Sequence, residues 1–370
     1  MNPSTPSYTR ARAAFVLCLL ILLLPPRAAA RQATALPADK VKQIEALVNA
    51  EMAKQKIPGL TVAVVSERQV RWAAGFGTQD VENNVAARPA TVYRLGSISK
   101  PITAVAVMQL FERGKLDLDA PVQKYCPAFP EKQWPVTTRQ VLGHLAGIRH
   151  YKSEEEFNST RFYAGVAEGL NMFKDEPLLF EPGTKYNYTT HGYSVLGCVV
   201  EGASGQKFAD FVTENVFRPA AMERIRVDSV ADIIPNRAQG YRVTDKGVLT
   251  NSPLADNSYK VPGGGFVSTA EDLARFAVAL QTGRLLKPET LEMMFTPQKL
   301  KDGKETNYGL GWGVGSRNGQ RTIGHSGAQQ RVSTFLHTQP DQGLAVVIMS
   351  NLEGARLGDL AQRIGDVVLK

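Results

Sequence analysis

Two sets of short, β-branched apolar runs stand near opposite ends of this chain, with helical periodicity between them, and that layout leaves few architectures open. Leu60 to Val65 and Val70 to Phe76 are separated by a polar turn and read as two antiparallel strands. Gly309 to Val314, Arg321 to Gly324, Val332 to Thr338 and Leu344 to Met349 read as extended as well. Between the two sets, up to about Gln298, helical patterns are broken by loops such as Pro182-Gly183 and Gly263-Gly264-Gly265. A helix over Ala38 to Lys54, with Val41, Ile44, Leu47 and Val48 on one face, precedes the first strands, and a helix over Gly354 to Leu369 closes the chain. The expected fold class is α+β: one antiparallel sheet built from both chain ends, flanked by helices, with a helical subdomain inserted. The α/β part is expected over about 38–96 and 300–370 and the helical part over about 97–299, together one domain over 31–370. A cleft between the two parts is the expected place for a site.

The first residues set the compartment. Arg10 and Arg12 precede an apolar run from Ala13 to Leu24, Pro25-Pro26 breaks it, and Ala28-Ala29-Ala30 offers small residues for cleavage. That is the pattern of a secretory signal peptide over 1–30, so the chain is expected to be exported, periplasmic or secreted. The run is shorter than the about 20 apolar residues of a comfortable span. An uncleaved anchor is the alternative, and the one route to membrane proximity. Removing 1–30 removes Arg10, Arg12 and Arg27 and no acid, leaving a mildly basic chain with no long basic run. Scattered Lys and Arg of this kind are a solvated surface rather than a nucleic-acid footprint. Cys126 and Cys198 remain. An oxidising compartment would let them pair, but without a dense cysteine framework isolated buried cysteines are the expectation. The five histidines are dispersed and no Cys/His cluster has metal-ligand spacing, so no metal site is expected.

Chemistry enters at Arg94-Leu95-Gly96-Ser97-Ile98-Ser99-Lys100. A serine hydroxyl is a poor nucleophile at neutral pH and needs an adjacent base. Residues i and i+3 share a helix face, so Ser97 and Lys100 stand side by side while Ser99 points elsewhere. Pro101 falls in the first turn, where its missing N–H costs little, and Ile102, Val105, Met108 and Leu110-Phe111 give an apolar face that Gly114 ends. A lysine held in a dry cleft loses enough proton affinity to act as a base. The competing reading is an N-capping serine with a solvated lysine.

Two further elements follow. Tyr188-Thr189-Thr190 opens an apolar stretch after Pro182-Gly183. A phenol near an ammonium can shed its proton and later reprotonate a leaving group; the competing reading is a core tyrosine, with Tyr186 and Tyr193 as nearby decoys. His325-Ser326-Gly327-Ala328 lies between two late strands. If the Ala328 N–H faces the site, it and the Ser97 N–H make an oxyanion hole, and His325 supplies a donor or a switchable charge. The competing reading there is a tight turn with His325 on the surface.

Taken in order, Ser97-x-x-Lys100, Tyr188 and His325-Ser326-Gly327 resemble the motifs of the class C β-lactamase-like and penicillin-binding-protein-like serine hydrolases, which include DD-peptidases and esterases. Gly114-Lys115-Leu116-Asp117-Leu118-Asp119, the Gly263 to Leu273 segment and Tyr308-Gly309-Leu310-Gly311-Trp312 are similar to that family too. Leu116 to Tyr125 and Leu142 to Tyr151 look like the mitochondrial β-lactamase-like serine proteases and their bacterial relatives. The resemblance implies a β-lactamase/transpeptidase-like fold and an acyl-enzyme mechanism. Ser97 attacks a carbonyl, Lys100 and Tyr188 manage the proton, and the Ser97 and Ala328 amides hold the oxyanion, without metal or cofactor. Its substrate is then a small molecule or peptide bound against His325, Ser326, Gly327 and Thr190. Two departures argue against efficient antibiotic breakdown. Thr190 stands where many β-lactamases carry Asn, and His325 where many penicillin-recognising members carry lysine. A peptidase or esterase fits better. The alternatives are a penicillin-recognising sensor with little turnover and an assembly-forming protein, since the resembled mitochondrial relative forms filaments, so an oligomer stays open.

Overall fold

Alternation of buried side chains organises the molecule around one sheet. The computed structural model describes residues 35–370 together with Met1, Pro3 and Ser4; apart from those three, the export segment expected over 1–30 lies outside the described residues. Strands Gly59–Ser66 (β1), Gln69–Asp80 (β2) and Val85–Ala86 (β3) come from the first part of the chain. Strands Gly313–Arg317 (β4), Gln320–Gln329 (β5), Val332–Gln339 (β6) and Leu344–Ser350 (β7) come from the last. They form a seven-stranded sheet in the order β3-β2-β1-β7-β6-β5-β4. Every pairing is antiparallel, and β1 meets β7 in the register Val62↔Ile348 and Val64↔Val346. Both chain ends therefore close one sheet, as expected. The strand expected over Gly309 to Val314 begins later, at Gly313, and the one expected over Arg321 to Gly324 runs on to Gln329, carrying the His325 triplet inside it.

The two central strands are buried almost throughout because both sheet faces are covered. Val62, Val64, Val346 and Ile348 pack with Ile44 and Val48 of helix α1 (Ala38–Gln55) and with Leu360 and Ile364 of the closing helix Gly358–Leu369. Ala63, Val65, Val347 and Met349 alternate with them and face a second, larger cluster. Period-two alternation sends neighbouring side chains to opposite faces, so two cores read as one continuous apolar run. Full burial of each Val, Leu or Ile contributes about 1.5–3 kcal/mol.

The second core surrounds helix α2 (Ser99–Glu112), whose side chains from Ser99 through Leu110 are all buried. The expected one-sided apolar face is thus part of a helix enclosed on every side, against helix α3 (Thr190–Ser204) and the Val261–Gly264 turn. A small pairing that the sequence did not show positions its start. Tyr93–Arg94 pairs with Phe266–Ser268, which pairs with Arg226–Val227. Inside it Arg94 Nε meets Asp228 Oδ2 at 2.8 Å, with the two side chains 5% and 1% exposed.

The two cysteines correct the sequence reading: Cys126 and Cys198 are bonded to each other, not isolated. Their 72-residue separation hid the pairing. A side chain at Gly202 of α3 would sit 1.7 Å from the Tyr125 carbonyl oxygen, so glycine lets the helix close onto the segment that holds Cys126. Cys198 lies one turn earlier on the same helix. Closing a loop of this length in the unfolded chain is worth on the order of 4 kcal/mol by chain entropy. Replacing both cysteines by alanine is expected to cost about 2–4 kcal/mol, read from the urea midpoint, and added reductant should then leave the double variant unchanged.

Candidate active site

Ser97 lies half-buried in a 3-10 turn, Gly96–Ile98, that runs straight into α2. Gly96 has φ +54°, and a side chain there would stand 3.0 Å from the Ala328 nitrogen and 3.2 Å from the Gly327 carbonyl carbon. Only glycine lets this turn approach β5 so closely. The approach is locked by Thr334 on β6, whose hydroxyl donates to the Leu95 carbonyl at 2.8 Å. Ser99, as expected, points away: its hydroxyl accepts the Phe266 N–H.

Lys100 is fully buried. Its Nζ lies 3.0 Å from Ser97 Oγ, 3.0 Å from Thr190 Oγ1 and 2.8 Å from the Gly263 carbonyl oxygen. None of these partners is a carboxylate. Burial, and then the charge of Lys260, push the amine well below the usual lysine range. The reading of a solvated lysine is excluded by this geometry.

Tyr188 stands over the pair, its ring centroid 4.8 Å from Lys100 Nζ, and it lines the same cavity as Ser97. Burial raises its phenol far above the ordinary tyrosine value. The decoys separate cleanly. Tyr193 is wholly buried and donates to the Leu142 carbonyl at 2.9 Å, while Tyr186 is 42% exposed. Thr189 caps α3 by accepting the Gly192 N–H at 3.2 Å, which turns Thr190 inward toward Lys100.

The His325 triplet belongs to a strand, not to a surface turn. His325 is 7% exposed; its Nδ1 is 2.6 Å from the Ser326 carbonyl oxygen, to which it donates, so Nε2 accepts the Tyr308 hydroxyl at 2.8 Å. Burial, and the charge of Lys100, drive its pKa down to about 3. The ring is therefore a neutral, fully engaged group. Ser326 and Ala328 are exposed to the cleft between these strands and helices, and Gly327 is buried. Ser97, Tyr188, Thr190, Ser326 and Ala328 all line one cavity of about 680 Å³, walled by Tyr151 and Phe157.

Sequence reasoning missed the histidines. Four of the five, called dispersed above, gather here: His144, His150, His191 and His325. His144 lies 4.4 Å beneath the Tyr188 ring, in a left-handed conformation (φ +61°), and accepts the Thr189 N–H through Nδ1 at 3.2 Å. His150 accepts the Thr190 N–H at 3.2 Å. Burial, followed by the charge of Lys100, holds both rings uncharged, His150 down to about 3. His191 bonds Glu156 at 2.7 Å and stacks on Phe173. The available signal was the Leu142 to Tyr151 segment, which carries two of the four.

The chain is similar to known proteins along most of its length. The chain is 33% identical to the human serine β-lactamase-like protein LACTB, mitochondrial, over 414 residues, covering 83% of this chain and 76% of that protein. Among solved structures it is similar to the octameric penicillin-binding protein homologue from Pyrococcus abyssi (25% identity, TM-score 0.76, 89% of this chain and 77% of that one). It is similar also to a penicillin-binding protein from Bacillus halodurans (26% identity, TM-score 0.74, 86% of this chain and 98% of that one). The Beta-lactamase family model matches residues 44–369, which span both halves of the sheet and every wall of the cleft, and the chain therefore belongs to the Beta-lactamase family, whose members are serine hydrolases of the β-lactamase/transpeptidase fold.

Proposed function

We propose that this protein is an exported serine hydrolase that works through an acyl-enzyme on peptide, amide or ester substrates, with Ser97 as nucleophile. The observation that carries the reading is Lys100: a fully buried amine, with no carboxylate partner among the described residues, 3.0 Å from Ser97 Oγ. Such an amine gives up its own proton far more readily than an ordinary lysine and, once free, accepts the Ser97 proton as Oγ bonds to the substrate carbonyl carbon. The carbonyl electron pair moves onto oxygen, where the Ser97 and Ala328 N–H groups hold it. When the pair returns, the leaving group departs and takes a proton through Tyr188. The raised phenol fits a proton carrier that starts protonated, so Lys100, not Tyr188, is the resting base. Water hydrolyses the ester by the same steps in reverse.

Penicillins are poor substrates in this reading. A neutral His325 with both ring nitrogens engaged has no charge to offer a carboxylate, and Thr190 is held by Lys100. The Cys126–Cys198 bond supports an oxidising compartment and hence export, with 31–370 as the mature domain. The octameric Pyrococcus relative supports self-association, which sedimentation checks.

The test is intact-mass spectrometry after a serine-directed phosphonate and, separately, a penicillin. A phosphonate adduct that maps to Ser97, with hydrolysis of short peptides or esters and slow or no penicillin turnover, is the expected result. Absence of any adduct would overturn the nucleophile, and penicillin turnover at the rate of dedicated β-lactamases would overturn the substrate class.

A further inference from the structure

Beside the cleft floor lies a second buried lysine that the acyl-transfer steps above leave unused. Lys260 is 1% exposed. It directly precedes the Val261–Gly264 turn, whose Gly263 carbonyl binds Lys100. Its stem passes 3.7 Å from where a Gly264 side chain would begin, and Gly264 lines the cleft. Its ammonium stands 4.7 Å from the Phe157 ring centroid, 5.0 Å from that of Tyr259 and 5.2 Å from that of Tyr151. Among the described residues it forms no ion pair: Asp228, whose charge it feels, is committed to Arg94 and Arg237.

A buried ammonium without a carboxylate is costly. Three aromatic faces offset part of that cost, each desolvated contact being worth up to about 2 kcal/mol. The cage therefore favours the charged form of the amine. Tyr151, one face of the cage, also lines the cleft with Ser97 and Thr190, and Thr190 Oγ1 lies 3.0 Å from Lys100 Nζ.

We propose that Lys260 is a positioning residue for acyl transfer, a caged positive charge beside the Lys100 turn that readies Lys100 to take the Ser97 proton. The inference rests on the Ser97–Lys100 reading above and names how that pair is kept active. The two environments divide the labour. Aromatic faces attract only the charged form, whereas hydroxyl partners such as Ser97 and Thr190 serve a free amine as well, because a hydroxyl both donates and accepts. Two adjacent amines of which one stays charged is a recognised way to free the other. The remaining groups agree. His144, His150 and His325 face Lys100 uncharged, and Tyr188 and Tyr193 face it as neutral phenols. Around Lys260 stand Arg94, which repels it, Asp228, which attracts it, and His150 and His191, which its charge helps keep neutral. Burial, and the charge of Arg94, bring Lys260 itself down to about 7, so it carries charge on the acid side of neutrality, where Lys100 most needs it.

The experiment is the rate of Ser97 phosphonylation against pH for the full chain, wild type, Lys260→Met and Lys260→Arg. Removing the cation raises the proton affinity of Lys100, so the acid limb of the Lys260→Met profile should move to higher pH by about one unit, roughly a tenfold loss below the limb, with the alkaline plateau retained. Lys260→Arg, permanently charged, should hold the limb at or below the wild-type pH. An unmoved limb in Lys260→Met, or a uniform loss at every pH, overturns the proposal. Should Lys260→Met fail to fold, an upward shift in Lys260→Arg overturns it instead. Wild-type protein that takes no phosphonate at any pH overturns the Ser97 reading itself, and Lys260 falls with it; an adduct with an unmoved limb removes Lys260 alone.

Discussion

Ser97→Ala is expected to abolish the covalent adduct and to lower hydrolysis by on the order of 10⁴-fold or more, with the melting temperature little changed. The hydroxyl is half-buried at the edge of a cavity, and its contacts are the groups of the reaction itself, Lys100 Nζ and Tyr188. Lys100→Met should fall nearly as far, and the double variant no further, because members of one catalytic unit are strongly non-additive. The fold should tolerate that methionine, since an unbranched apolar chain replaces a buried amine in an apolar helix. Near-normal labelling of either single variant would remove that residue from the mechanism.

Gly327→Ala is expected to lower acylation by about 10²–10³-fold although it deletes no functional group. The added methyl would sit 2.1 Å from the Leu95 carbonyl oxygen and 2.1 Å from Thr334 Oγ1. Those two atoms are bonded to each other at 2.8 Å and lock the Ser97 turn to the sheet. Neither backbone oxygen nor strand has room to give, so the turn and β5 must part. The Ala328 and Ser97 amides then no longer converge on one point. Overpacking of this kind costs about 1–3 kcal/mol of stability as well. Gly165→Ala is the control: a side chain there meets nothing within 4 Å, and both activity and stability should stay as they are. Equal labelling rates for Gly327→Ala and the control would refute the oxyanion assignment.

How much of this was legible in advance follows from the range of each interaction. Ser97 and Lys100 lie three residues apart, and helical geometry alone sets them side by side. The β-branched runs at the two ends likewise announced a sheet that joins them, because alternation and burial are local signals. The short pairing of Tyr93–Arg94 with Phe266–Ser268 had too few residues to carry a pattern. The Cys126–Cys198 bond was misread because nothing local relates residues on separate elements.

The sequence by itself determined the pairing of Ser97 with Lys100, the order of the three motifs and the α+β class. Each of these depends on periodicity or on neighbours within one helical turn. Only the tertiary structure decided what those groups are chemically. Lys100 loses proton affinity because α2 is enclosed on all sides and the charge of Lys260 stands nearby. His325 is neutral because β5 buries it against Tyr308, and four scattered histidines share one site because α3 and the cleft wall bring them there. Proton affinity is set by desolvation and by charges brought in from distant parts of the chain, and neither is written in the spacing of residues along it.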